Sequence, residues 1–460
     1  MNVERVKTIV LVLLIVVSLV LSMFLWSSTP KLDSLTPSDY VAPQPIGHKY
    51  EATDVIRPSA VLFHTGDGHH KKADLESAIY KEVVSEMNKW SFYDLAAVQM
   101  TREEWEAFIN KKKTMEIVYR HEIPADIASQ LFTLRGRIDG ELRSVSRILL
   151  YESGDKSAVY ALLISSRDQR IIRARTSMTP EMITKLSTPE KIGGLPEQIL
   201  YRAFVDGIES QIRPARYDFY DPLYLPKEQG KMSRYRYFYQ PLTIQQVLDA
   251  MFVDVSLTRQ VTERDGTMIY TNGSQSVSIP VDRNYLLYRH PRHEEENMEE
   301  EQANYAALNS ALTFVNQHGG WTGRYYLEDI EESSASNRGE SISYRFRQYV
   351  GAYPLFNGDG PEMNIVSARV FDGSVSELYY PMRQLDLYFE KIPLTVVSGV
   401  ELIKLVEKKG IRKEEIDSIE LGLYTRSVYD FIEMKPCWLI HLQDNREPLY
   451  IEAGTDSFGR

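Results

Sequence analysis

The sequence predicts an α+β protein: an N-terminal transmembrane helix, then a multidomain extracytoplasmic body with an N-terminal α/β domain and antiparallel sheets built from C-terminal helix–strand–strand repeats. Three observations carry this. An uncharged run of 19 residues stands near the start, at residues 8–26. Period-two alternation recurs along most of the remaining chain, interrupted by stretches of helical periodicity. In the C-terminal half, a helix followed by two strands occurs twice.

As a helix the run 8–26 is about 28 Å long, close to the roughly 30 Å of hydrocarbon in a bilayer. A cleaved secretory signal has a shorter apolar core and small residues at its cleavage site. Here the run ends in Met23, Phe24, Leu25 and Trp26, and no cysteine follows it to direct lipoprotein processing. Arg5 and Lys7 favour the cytoplasmic side, and Trp26 suits the headgroup level. The expectation is an uncleaved signal anchor in the cell membrane: residues 1–7 a cytoplasmic tail, 8–26 a single span, and the bulk of the chain extracytoplasmic. Within the span, Ser18 and Ser22 form a small-xxx-small pair, and Leu11, Ile15 and Leu25 lie on the same stripe. Small residues let helix backbones approach, so these five form a candidate transmembrane interaction face.

Residues 27–56 contain Pro30, Pro37, Pro43 and Pro45 among serines and threonines, which predicts an extended stalk. Residues 57–230 are expected to form the N-terminal α/β domain. AVLFH reads as a strand and DLESAIYKEVVSEMNKW as an amphipathic helix. Thr101 and Glu104 form a T-x-x-E capping box before WEAFINKKK. MEIVYR, VSRILLY, SAVYALLIS and QRIIRAR read as strands, the last three as an antiparallel set. Thr179-Pro180-Glu181 has the cap-then-proline signature of another helix start.

Residues 231–388 form the expected central α+β domain and 389–460 the C-terminal one. In the first repeat unit, YAALNSALTFVNQ is a helix with Leu308, Leu312 and Val315 on one face. WTGRYYLEDIEE and SISYRFRQYV follow as strands, the second with Ile342, Tyr344, Phe346, Gln348 and Val350 pointing one way. In the second unit, Ser398 and Glu401 cap SGVELIKLVEKKG, and IDSIELGLYTR, CWLIHLQ and LYIEAG supply strands. LTIQQVLDAMF with VSLTRQVTE, GTMIYTNG and QSVSIP reads as a degenerate third copy.

Charge narrows the partners. The whole chain carries −11, and setting aside Glu4, Arg5 and Lys7 leaves 51 basic and 63 acidic side chains, a net −12 beyond the anchor. Nucleic acid and anionic lipid would be repelled on average, so protein partners are expected and nucleic acid is not. The single cysteine, Cys437, excludes an internal disulfide and reads as a half-buried strand thiol.

A search for chemistry yields little. His64, Asp67, His69 and His70 cluster in FHTGDGHHKKAD, but the glycines make a turn where one metal-binding helix would place histidines four apart. A solvated strand-to-helix turn is the expectation there. His290 and His293 lie beside the acidic run EEENMEEEQ and read as a solvated loop. Ser28 and Lys31 match S-x-x-K only within the stalk. No G-x-S-x-G elbow or phosphate loop occurs. The expectation is a non-enzymatic protein with no catalytic residues, no cofactor and no metal.

The basic N-terminus with its anchor, IYTNGSQSVSIP, LTFVNQHGGWTGRYYLEDI, YRFRQYVGAYPLFN and the C-terminal helix–strand–strand unit together resemble the YycH family of membrane-anchored extracytoplasmic regulators. The resemblance implies a role in controlling cell-wall metabolism. The implied partners are the sensor histidine kinase WalK, also called YycG, which acts through the response regulator WalR, and a second anchored protein, YycI. YycI is similar to the C-terminal part of YycH, which makes the repeats here YycI-like. The family implies regulation through transmembrane-helix contacts, which map to residues 8–26. The choice of Leu11, Ile15, Ser18, Ser22 and Leu25 within that segment comes from spacing alone. A PepSY-like reading of the repeats gives the alternative, an extracytoplasmic protease inhibitor or adaptor.

Overall fold

A computed structural model of the chain describes residues 7, 13–21, 46–135, 142–205, 219–290, 304–335, 339–357, 362–443 and 447–455. The chain divides into two compact units, Met1–Gln44 and Pro45–Arg460.

In the first unit, residues 13–21 are helical, and Leu13, Leu14, Ile15, Val16, Val17, Leu19, Val20 and Leu21 are all exposed. Among the described residues no helix is long and apolar enough to cross a membrane. The rest of the predicted span, and residues 27–45 of the predicted stalk, lie outside the described residues.

The second unit is mixed α+β with two large sheets. The first has ten strands in the order Phe219–Pro226, Glu197–Val205, His70–Ala73, Ala60–Thr65, Lys113–Pro124, Ser144–Glu152, Val159–Ser165, Arg170–Thr176, Ser91–Val98 and Thr133–Leu134. Every pair is antiparallel except the last, which is parallel. The region expected to be α/β is therefore α+β. Most of its helices sit beside hairpin-linked strands, whereas an α/β sheet needs helical crossovers between parallel ones.

Both faces of this sheet are covered, which explains the continuous apolar run in VSRILLY. Ile148 and Leu150 join the main core with Ile79, Tyr80 and Val83 of the helix Ala78–Met87. Leu149 points the other way, into a smaller cluster with Trp105, Phe108 and Ile109 of the helix Arg102–Asn110. That helix begins at a reciprocal capping box: Thr101 Oγ1 accepts from the Glu104 amide at 3.3 Å, and Glu104 Oε2 accepts from the Thr101 amide at 2.8 Å.

The second sheet joins a central and a C-terminal section. Centrally, Arg259–Thr262, Met268–Thr271, Ser276–Ile279, Tyr285–Arg289, Ser374–Pro381, Ile365–Phe371 and Gly339–Val350 pair in that order, all antiparallel. Arg324–Ala335 flanks Gly339–Val350. The short strand Tyr353–Asn357 leaves this section and pairs in parallel with Ile416–Val428. From there the sheet continues through Phe431–Leu442, Gly230–Pro241 and Arg383–Val396. The chain thus lays down one strand of the C-terminal section before it builds the central one, and returns to pair with it.

Each repeat unit is a helix followed by an antiparallel hairpin. Asn304–Gln317 precedes Arg324–Ala335 and Gly339–Val350, and Gly399–Lys408 precedes Ile416–Val428 and Phe431–Leu442. Leu308, Leu312 and Val315 are buried together, as their spacing requires. In Gly339–Val350 the alternation fails at one end, where Arg347 and Tyr349 are buried beside Gln348. Phe356 covers the Arg347 guanidinium at 5.2 Å and Arg120 covers the Tyr349 ring at 5.5 Å, so both faces of the strand are closed there.

Candidate functional site

Of the predicted transmembrane face, Ile15 and Ser18 lie on the described helix, three residues apart and exposed. Leu11, Ser22 and Leu25 lie outside the described residues.

The end of the predicted stalk is held by the body. Residue Gly47 donates to Gly319 O at 2.8 Å, and His48 and Trp321 exchange backbone hydrogen bonds of 2.9 and 2.8 Å. Tyr50 stacks on Trp321 with ring centroids 5.5 Å apart and planes inclined by 20°. Asn316 binds both ends of this contact: its Oδ1 accepts from the Tyr50 amide and the Trp321 indole, and its Nδ2 donates to Tyr50 O at 2.8 Å. A short helix, Ala52–Val55, then buries Ala52 and Val55 in the main core. The Gly319-Gly320 pair makes this clamp possible. Gly320 has φ +76°, and a Cβ there would meet the Gly47 and His48 carbonyl oxygens at 2.8 Å. Sequence reasoning placed residues up to 56 in the stalk. Its missed signal was the bulky Trp321 directly after two glycines, a pattern that marks close backbone approach.

The histidine cluster is divided by the structure. His64 and His70 are 3 % and 2 % exposed and face each other from paired strands, with their Nδ1 atoms 2.8 Å apart. His64 Nε2 lies 3.1 Å from Glu116 Oε2. Glu116, fully buried, also accepts from Arg147 at 2.9 Å and from the Tyr224 hydroxyl at 3.3 Å. Asp67 instead accepts from Thr65 within the turn, and His69 pairs with Glu197 at the surface. The expectation of a solvated turn is overturned for His64 and His70, because the turn closes a hairpin whose other neighbours, Lys113–Pro124 and Glu197–Val205, bury it. Burial would raise the Glu116 carboxyl, but Arg147 and His64 outweigh it and hold it at about 2. Burial, then His64, lowers His70 to about 4, so it is neutral at neutral pH. Among the described residues no group of three or more His, Cys, Asp or Glu is placed to hold a metal ion.

The network reaches across to the C-terminal section. Arg147 also lies 3.6 Å from Asp221, which pairs with Arg202 at 3.1 Å. Arg202 in turn donates to the Ile416 carbonyl. A second tie joins Arg120 to Glu420 at 2.6 Å. These contacts tie the sheet sections together, each through a terminal guanidinium nitrogen. Cys437 is buried at 3 % exposure on Phe431–Leu442, and burial pushes its thiol up to about 12, which removes the thiolate needed for nucleophilic work. His290 donates its amide to Ser376 O, while His293 and the whole glutamate run lie outside the described residues.

The described surface carries one aromatic ribbon, on the strand pair Gly230–Pro241 and Arg383–Val396. Phe238 and Phe389 are exposed with ring centroids 4.4 Å apart, and Phe389 lies 5.6 Å from Phe431. The Arg236 guanidinium covers Phe431 at 5.5 Å, and Leu387 and Tyr388 are exposed alongside. Aromatic and arginine side chains grouped this way on a surface suit a protein interface.

Comparison with known proteins places this arrangement. The chain is 20 % identical over 468 aligned positions to the Bacillus subtilis (strain 168) protein named two-component system WalR/WalK regulatory protein YycH, covering 97 % of this chain and 96 % of that protein. Its fold is similar to that in the crystal structure of YycH from Bacillus subtilis, with a TM-score of 0.67 at 16 % identity, covering 88 % of this chain and 98 % of the solved one. Residues 4–188 match the family profile of the YycH protein N-terminal domain and residues 221–454 that of its C-terminal domain, so the chain belongs to the YycH family.

Proposed function

We propose that this chain is a non-enzymatic, membrane-anchored regulator of a WalK-type sensor histidine kinase. In this reading residues 8–26 cross the membrane once, with residues 1–7 in the cytoplasm and the body outside. The anchor packs against transmembrane helices of the kinase through Leu11, Ile15, Ser18, Ser22 and Leu25. A kinase with two signalling states needs only a partner that binds one state better, and a differential of about 1–3 kcal/mol shifts their ratio about 5–150-fold.

The observation that carries the proposal is the clamp on residues 46–56. A tether that served only as a leash would gain nothing from Gly47, His48 and Tyr50 being fixed to Gly319, Trp321 and Asn316. Fixing the segment there makes residues 46–56 part of the body rather than of the stalk. A YycI-like partner docked on the Phe238–Phe389–Phe431 ribbon would then fix the body itself.

The test is a WalR-dependent reporter in cells lacking the native protein, comparing the full chain with the same body on an unrelated single-pass helix at equal expression. Loss of regulation with the substituted helix supports the anchor as effector. Retained regulation places the signal in the body and defeats the proposal.

A further inference from the structure

The unit Pro45–Arg460 contains a cavity of about 430 Å³, within the range of small-molecule sites. All three sheet sections contribute walls. Leu62 and Val118 come from the N-terminal sheet, Tyr349 from the central section, and Met232, Val396 and Leu421 from the C-terminal section, so the lining is largely apolar.

The polar groups in those walls are unequally satisfied. Arg147 is committed to Glu116, Asp221 and the Pro222 carbonyl, and the terminal nitrogen of Arg120 to Glu420. Asp74 Oδ1 accepts from the Glu76 and Ser77 amides. Three donors lining the same cavity stand without a partner. The indole Nε1 of Trp438 and the Nε of Arg120 are buried without a hydrogen-bond partner. Trp438 is 3 % exposed, cross-strand from Leu421 and next to the Glu420 position. The third is Lys72, on the strand His70–Ala73. Among the described residues no carboxylate lies within ion-pair distance of its ammonium. Burial lowers its pKa, Asp74 and Glu420 oppose that shift and Arg120 adds to it, and all four side chains line the same space. Among the described residues, no buried side-chain acceptor in the lining is left unpartnered.

Unpartnered donors without unpartnered acceptors define the missing ligand: it must bring acceptors, and a lysine held off its acids favours negative charge. The apolar remainder of the wall requires a hydrocarbon or aromatic body. We propose that this cavity is a binding site for an anionic amphiphile, a carboxylate or phosphate monoester on a short apolar body, with Lys72 and Trp438 holding the headgroup. Because its walls belong to three sheet sections, occupancy would stiffen their relative placement and so act on the same body that holds residues 46–56.

The test is equilibrium dialysis of the full chain in lipid nanodiscs against radiolabelled octanoate, octyl phosphate or octanol, with empty nanodiscs subtracting membrane partition. The expected result is saturable one-to-one binding of at least one anion, about tenfold or more tighter than octanol. Lys72→Met should weaken the anion about tenfold, Lys72→Arg should retain it, and Trp438→Phe should weaken it while keeping the aromatic bulk. Binding of only one anion identifies its headgroup as the native chemistry. Absence of saturable binding by the unmodified protein, or equal affinity for octanol, overturns the proposal without recourse to a variant. So does affinity unchanged in both Lys72→Met and Trp438→Phe. Reporter output from the unmodified chain is read separately, so failure here leaves the kinase proposal standing.

Discussion

Gly47 and Trp321 approach so closely that a Cβ on Gly47 would overlap the Trp321 carbonyl group. The two residues are separated by the whole N-terminal sheet and half of the central section, yet their backbones run as an antiparallel bridge through His48. The segment around Gly47 and His48 is therefore part of the central core's surface. Anything that moves Trp321, Asn316 or the Gly319-Gly320 turn moves residues 47–50 with it.

Gly47→Ala should open this bridge, because the added methyl meets backbone rather than a flexible side chain. Gly320→Ala should do the same through both its close approach and its positive φ, at a cost of about 1–3 kcal/mol. Trp321 is fully buried against Tyr325 and Phe346, and Trp321→Ala should destabilise the body by about 3–5 kcal/mol. Limited proteolysis within residues 46–56 reads the clamp directly. Faster cleavage there in Gly47→Ala is expected, and an unchanged rate would show that the bridge does not restrain the segment.

The Arg120–Glu420 pair ties the N-terminal sheet to the C-terminal section with both side chains under one-fifth exposed. Glu420→Ala leaves the Arg120 guanidinium buried and unpaired, for an expected loss of about 3–5 kcal/mol in urea unfolding. Removing both charges with Arg120→Met and Glu420→Met should recover most of it. If the double variant is as unstable as the single one, packing rather than the buried charge is responsible.

Stability should fall on mild acidification. Burial, then His64, holds His70 at about 4, and burial, then Arg120, holds His121 at about 4. An unfolded histidine titrates near 6.5, so between about 6.5 and 4 the unfolded chain binds more protons and stability drops as pH falls. The loss approaches about 3 kcal/mol per histidine at the bottom of that window. Glu116 acts lower down: its depressed value of about 2 contributes stability above the usual glutamate range that is lost only as pH falls towards 2. Urea midpoints measured from pH 7 to 4.5 should decline, and His70→Phe should flatten the decline by roughly half. A pH-independent midpoint would contradict this assignment.

If the aromatic ribbon is the partner surface, Phe238→Ser with Phe389→Ser should weaken capture of a YycI-like protein by tenfold or more, about 1.4 kcal/mol at least. Both side chains are exposed, so the thermal midpoint of the body should barely change. Undiminished capture by the double variant would assign the interface elsewhere.

Local signals in the sequence translated directly into structure. Thr101 with Glu104 and Ser398 with Glu401 each form the reciprocal cap that their three-residue spacing encodes. Thr179 and Pro180 open the helix Pro180–Leu186, and Leu308, Leu312 and Val315 share a core. What stayed illegible depends on partners far along the chain. His64 and His70 are core residues only because Glu116, Arg147 and Tyr224 converge on them. The strand Gly230–Pro241, which no local signal marked, is held by Arg383–Val396 and Phe431–Leu442 from far along the chain. Lys72 stands in a basic pair that looks solvated, and only the folding of three sheet sections around it makes the cavity.

The central claim is that the anchor touches the kinase through one face. A photo-crosslinking residue placed at Ser18 in living cells, compared with one at Val20 on the opposite side of the same helix, tests it most directly. The account predicts adducts with the WalK-type kinase from Ser18 and few or none from Val20. Equal adducts from both positions, or none from Ser18, would contradict it.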